Sequence, residues 1–278
     1  MRTDVIDLRD FYASSLGRVA QRMIRRRIRT IWPDVSGLSL LGLGYATPFL
    51  RPFRDEAARI VAIMPAAQGV LRWPPDEPNL VALADEVELP LPDLSTDRVL
   101  LVHAVETAEQ LRPMMREVWR VLAGQGRVLV VVPNRRGMWA RREGNPFGSG
   151  HPYSVTQLSR LMRDMTFTPL RSATALHVPP SRWRMVLTAA EAWEEAGARW
   201  FPAFGGVVMV EATKQIYAAA LRPARRRRRA GLPLPAGPQP AAAGRDRAPI
   251  PPPAAAAAPA APGAPPRPAR ARRCGGRR

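Results

Sequence analysis

One cysteine, Cys274, and three histidines, His103, His151 and His177, are all that 278 residues offer for thiol or imidazole chemistry. A single cysteine excludes an intrachain disulfide and a cysteine-based metal site. The histidines stand too far apart in sequence to show ligand spacing, so no metal is expected. Lysine is almost absent: of 42 basic residues, only Lys214 is not arginine. No run of 18 apolar residues occurs, and Met1-Arg2-Thr3-Asp4-Val5 carries no apolar signal-peptide core, so no transmembrane segment is predicted. A reducing, cytoplasmic location is the expectation.

Aromatic and acidic residues are scarcest beyond Arg222. Residues 222–278 contain 14 Arg, 14 Pro and one acidic residue, Asp246, with no Phe, Trp or Tyr. Such a segment buries too little apolar surface to offset the entropy of ordering, which predicts a disordered tail over 222–278. The tail holds +13 of the formal net charge of +19, so the basic balance describes it more than the rest of the chain. Its Arg225–Arg229 run suits a weak, salt-dependent contact with an anionic surface. Without aromatics for base stacking, no specific nucleic-acid recognition is expected.

Residues 1–221 suit one α/β domain. Leu8, Phe11, Tyr12, Leu16, Val19, Met23, Ile24, Ile28 and Ile31 recur at helical spacing, predicting one amphipathic helix over 8–31 that Pro33 ends. Its polar face carries Arg18, Arg22, Arg25, Arg26, Arg27 and Arg29. A cover helix with a solvated basic face explains this more simply than a nucleic-acid or membrane contact. Strands are predicted at Leu38–Leu43, Ile60–Met64, Leu80–Ala84, Arg98–His103, Arg127–Val132 and Gly206–Ala212. Helices are predicted at Arg51–Arg59, Ala108–Leu122, 154–164 and 181–197. This alternation, with continuous Val and Leu runs, predicts an α/β fold with a doubly wound, mostly parallel sheet. Trp183, Trp193, Trp200 and Phe201 have spacings that fit core packing.

Ser39-Leu40-Leu41-Gly42-Leu43-Gly44-Tyr45-Ala46-Thr47-Pro48 is an apolar run entering a glycine turn, the way a buried parallel strand delivers the chain to a ligand. A nicotinamide site is disfavoured, since Thr47 stands where a third glycine is needed and no acidic residue follows at about 20 positions. Downstream, Asp85-Glu86-Val87-Glu88-Leu89-Pro90-Leu91-Pro92-Asp93 leads into Asp97-Arg98-Val99-Leu100. His103-Ala104-Val105-Glu106 then falls just past the fourth strand, the edge where open α/β sheets place chemistry. Arg116-Glu117-Val118-Trp119-Arg120-Val121-Leu122, a glycine turn at Gly126 and the strand to Asn134 follow. His103 is a candidate general base; its plainer reading is a strand-closing residue hydrogen-bonded to backbone. The Gly-rich segment 137–153, with Trp139, Asn145, Phe147, His151 and Tyr153, is placed to cover an acceptor site.

In this order over residues 38–134, these segments resemble the class I S-adenosylmethionine-dependent methyltransferases, specifically the methyltransferase type 11 group. The resemblance implies a Rossmann-like methyltransferase fold, S-adenosylmethionine as cofactor, and methyl transfer to a small-molecule or cofactor acceptor. It places cofactor contacts at Gly42, Gly44 and Ala46, where the family's Asp-x-Gly-x-Gly-x-Gly turn falls, with Pro48 at the last glycine. It places Asp85 at the adenine amine, and His103 and Glu106 in the active-site loop as catalytic candidates, with His103 also near the cofactor. Met64 falls where the family carries a ribose-binding carboxylate, and Gln68 in the next turn is the candidate substitute. A thioether does not replace a charged bidentate acceptor, and losing such bonds costs roughly 1.5–3 kcal/mol. Met64 and Pro48 therefore keep an alternative open: a catalytically inactive methyltransferase-like protein that binds or regulates a partner.

Overall fold

The computed structural model describes residues 4–215, so the tail predicted over 222–278, with its Arg225–Arg229 run, lies outside the described residues. Seven strands, β1 (Ser39–Gly44), β2 (Arg59–Pro65), β3 (Val81–Ala84), β4 (Thr96–Val102), β5 (Leu122–Pro133), β6 (Phe167–Ala175) and β7 (Val207–Lys214), form one sheet in the order β3-β2-β1-β4-β5-β7-β6. The first five are parallel; β7 runs antiparallel between β5 and β6. The chain begins at the sheet centre, winds outward to β3, then crosses back to β4. This leaves a topological switch point between β1 and β4, where open sheets of this kind bind ligands.

The predicted α/β architecture holds, because the central strands are apolar on both faces. Leu40 of β1 packs into the cluster that holds α1 (Val5–Ala13) and α2 (Ser15–Ile31). Leu41 and Leu43 pack into the opposite cluster with α4 (Leu111–Val121) and α5 (Val155–Asp164). Between β1 and β2 comes the short α3 (Thr47–Leu50), and α6 (Arg184–Thr188) and α7 (Ala190–Trp200) connect β6 to β7. Among the described residues, no helix is long and apolar enough to cross a membrane.

Four expectations need correction. The helix expected over 8–31 breaks at Ser14, which ends α1 and caps α2 by accepting from the Gly17 N–H at 3.0 Å. Gly17 permits the sharp joint: a Cβ there would sit 1.9 Å from the Phe11 carbonyl oxygen. The helix expected at Arg51–Arg59 starts earlier, at Thr47, with Pro48 in its first turn, and gives way to one 3-10 turn at Arg51–Phe53. A proline tolerates that position because its missing N–H would be unpaired anyway. Strand β6 was not expected, since Pro169 and alternating polar residues mask it. Lastly, Trp183, Trp193, Trp200 and Phe201 are exposed, not core.

The basic face of α2 is only partly solvated. Arg25 donates to the Pro48 carbonyl at 2.7 Å, Arg27 to the Thr174 carbonyl at 3.1 Å, and Arg29 to Glu56. A buried carboxylate, Glu211 of β7, accepts from Trp32 Nε1 at 2.9 Å and Arg171 Nε at 2.7 Å, joining the end of α2 to β6.

Candidate functional site

The carboxyl ends of β1, β2 and β4 converge around the glycine turn. Gly44 has φ of +80°, and a Cβ there would lie 2.4 Å from the Val102 carbonyl oxygen of β4. Only glycine meets both conditions. Gly42 is likewise pressed against α3, its Cβ position 2.5 Å from Leu50 Cδ1 and 2.8 Å from Ala46 Cβ. Gly42 and Ala46 thus serve the strand-to-helix packing of the turn.

Past β4, His103 adopts a left-handed conformation with φ of 52° and is 3% exposed. Its Nδ1 lies 3.0 Å from Glu106 Oε1, and its Nε2 lies 2.8 Å from the Tyr12 hydroxyl of α1. With a neutral imidazole beside an ionised carboxylate, Nδ1 donates to Glu106 and Nε2 accepts from Tyr12. Glu106 Oε2 is buried without a partner among the described residues. The two residues the sequence singled out therefore form a pair, and a third, Tyr12, joins them from the first helix.

Aromatic rings enclose this group. Tyr12 stacks on Tyr45 at 5.6 Å with 11° between planes and meets Phe49 edge-on at 5.6 Å. Phe147 stands 5.3 Å from the His103 ring and packs edge-on against Trp139 at 5.5 Å. Burial pushes the Tyr12 hydroxyl well above its ordinary pKa, reinforced by the Glu106 charge. Burial likewise pushes Tyr45 up to about 12. The 137–153 segment packs against this group: Phe147 supplies a wall, and the His151 N–H donates to the Glu106 carbonyl at 2.9 Å.

Beside it, at the ends of β2 and β3, lies a cavity of about 190 Å³ lined by residues including Pro65, Gln68, Asp85, Glu86, Thr107 and Gln110. Gln68 Nε2 donates to the His103 carbonyl at 3.2 Å, and its Oε1 is buried with no partner among the described residues. Asp85 Oδ1 accepts from the Val87 N–H at 3.1 Å, holding the turn that follows β3. Half-burial raises the Glu86 pKa. Met64 does not reach the cavity lining: it is fully buried in the α1–α2 cluster, its Sδ accepting from the Leu71 N–H at 3.4 Å.

The 85–93 loop is braced from behind by α4. Arg120 donates to the Leu89 carbonyl at 2.9 Å, the Leu91 carbonyl at 2.8 Å and Asp93 at 2.6 Å, while Glu117 accepts from the Leu89 N–H at 2.9 Å. The Arg120 contact holds the Glu117 carboxyl below its usual range. Asp97 is structural, accepting from the Ser39 N–H at 2.9 Å. Two sequence motifs that look separate are one assembly.

A sheet in this order, with one antiparallel strand inserted near the edge, is the class I methyltransferase fold. Residues 41–130 match the family model described as a methyltransferase domain, type 11. Two probable S-adenosylmethionine-dependent methyltransferases of Mycobacterium tuberculosis are 33% identical over 104 residues, 37% of this chain and 38% of each relative. The chain thus spans about two fifths of the length of those curated relatives. A Thermotoga maritima methyltransferase, possibly acting on histamine by its description, superposes with a TM-score of 0.55 at 18% identity, over 76% of this chain and 95% of that one. A putative Haloferax volcanii methyltransferase, solved with the Trm112 activator, gives 0.52 at 16% identity, over 76% and 98%. The [4+2]-cyclase SpnF gives 0.51 at 18% identity, over 73% and 85%. The family likeness is thus carried by residues 41–130, and the likeness of fold by the whole sheet.

Proposed function

We propose that the chain transfers a methyl group from S-adenosylmethionine to a small-molecule acceptor. The observation that carries this reading is the cavity at the ends of β2 and β3, whose lining brings Gln68 and Asp85 together. Gln68 and Asp85 would hold the nucleoside end: one accepts from a hydroxyl, the other from an amine. The cofactor supplies an electrophilic methyl group, whose displacement depends on alignment and needs no metal. His103, with Nδ1 turned to Glu106, would serve as the base through Nε2 only with the Tyr12 hydroxyl displaced from it. At about 190 Å³ the cavity is smaller than the roughly 300–1,000 Å³ of ligand pockets.

A second reading is favoured by two observations together: Met64 is locked in the core, and Tyr12 already occupies His103 Nε2. On this reading the domain is a catalytically inactive relative that engages a partner. The fold does not decide, since SpnF carries it as a cyclase.

Calorimetric titration of the full-length chain with S-adenosylhomocysteine separates the two. Methyl transfer predicts micromolar binding, weakened roughly tenfold in Gln68→Ala. Absence of binding in both the wild type and Tyr12→Ala, with circular dichroism showing both folded, selects the inactive relative.

A further inference from the structure

We propose that the β6–β7 connection and the outer edge of α2 together form a docking face for an anionic lipid bilayer. Unlike the methyl-transfer reading, this one rests on surface residues far in character from a core. Trp183 is 77% exposed, Met185 82%, Trp200 72% and Phe201 63%, all within one stretch of chain. Helix α6 buries none of its residues, and α7 buries only Ala190 and Glu194. Trp193 and Trp200, seven residues apart, project from one side of α7. Large aromatic side chains left exposed together in one segment mark an interaction surface, and tryptophan rings favour the headgroup level of a bilayer.

The charge beside this patch says what covers it. Arg18, Arg22 and Arg26 are exposed along α2 at four-residue spacing. Arg18 and Arg22 line one groove together with Arg184 and Thr188 of α6, and Arg26 reaches Glu195 of α7 at 3.8 Å. The arginine row therefore runs alongside the aromatic segment, which adds Arg182 and Arg199. Of the segment's three carboxylates, Glu194 is turned inward onto the Leu176 and His177 N–H groups, leaving Glu191 and the paired Glu195. A second copy meeting this face by symmetry would bring like arginine rows together. An anionic bilayer neutralises them while taking the aromatic rings into its interface.

The test uses the full-length chain with vesicles of phosphatidylcholine alone and of phosphatidylcholine mixed with phosphatidylglycerol, read by co-sedimentation and tryptophan emission. Binding to the anionic vesicles alone, with a blue shift, is expected. A Trp200→Ala/Phe201→Ala variant should lose roughly tenfold in partitioning, and Arg22→Glu/Arg26→Glu a comparable amount. Because these side chains are exposed, the variants keep the fold, which circular dichroism checks. Binding that ignores the aromatic substitutions and vanishes with added salt would assign the contact to the arginine-rich tail and overturn the proposal. So would no binding to either vesicle, or a dimer that the aromatic substitutions convert to monomer.

Discussion

The Tyr12 hydroxyl lies 2.8 Å from His103 Nε2, although 91 residues separate the two in the chain. That bond closes the carboxyl edge of the sheet with a residue of the first helix. Because His103 is also held by Glu106, the three side chains form one buried hydrogen-bonded line.

Tyr12→Phe keeps the ring against Tyr45 and removes the hydroxyl, leaving His103 Nε2 buried and unpaired. A stability loss of about 1–3 kcal/mol is expected from such an orphaned group. Urea unfolding of the two proteins measures it, and a midpoint unchanged by the substitution would mean that the bond contributes nothing.

Alkaline pH should destabilise the domain. Burial, with the Glu106 charge adding, raises Tyr12, and burial raises Tyr45 from 10.0 to about 12. The fold thus favours the protonated phenols, whereas an unfolded tyrosine ionises near its ordinary value. Unfolding then releases protons above pH 10, so stability falls as pH rises through the window up to about 12. Denaturation midpoints measured across that range should drop less steeply in Tyr45→Phe; equal slopes would refute the assignment.

Arg120→Ala removes the guanidinium that holds the Leu89 and Leu91 carbonyls. The expected cost is about 1–3 kcal/mol of stability. On the methyl-transfer reading, weaker S-adenosylhomocysteine binding follows as Asp85 loosens. Arg120→Lys should restore little, since one ammonium cannot span the fork of partners. Full recovery by lysine would show that charge, not geometry, braces the loop.

Gly44→Ala and Gly37→Ala form a matched pair. Both positions have positive φ, +80° and +72°, but nothing lies within 4 Å of a Cβ at Gly37. The Gly37 variant should pay the conformational cost alone, about 1–3 kcal/mol at most. Gly44→Ala should lose clearly more, through its clash with the Val102 carbonyl. Equal losses in thermal unfolding would remove the case for close approach.

Much of this architecture is written in local pattern. The Val and Leu runs of β1, β4 and β5 announce buried parallel strands, and the glycine turn marks the switch point. His103 and Glu106, three apart past a strand, also stand out. Tyr12 does not, because its apolar spacing in α1 looks the same whether it packs on a core or closes a site. Met64 shows the opposite limit. Its sequence position suggests that an aspartate would rebuild a ribose contact, yet the structure would bury that carboxylate in an apolar cluster, where a charge is costly. The aromatic residues of α6 and α7 looked like core because periodicity reports a shared face and not which side of it meets solvent.

Strand β6 carries a further consequence. Its hydrogen-bonding neighbour is β7, which is synthesised after it, and among the described residues no other strand flanks it. Among the described residues, the outer side of Phe167–Ala175 is therefore an edge of the sheet. Pro169, Arg171, Ser172 and Thr174 are the residue types that keep such an edge from recruiting a foreign strand. The same polarity that hides β6 in the sequence is what protects the protein from aggregating through it.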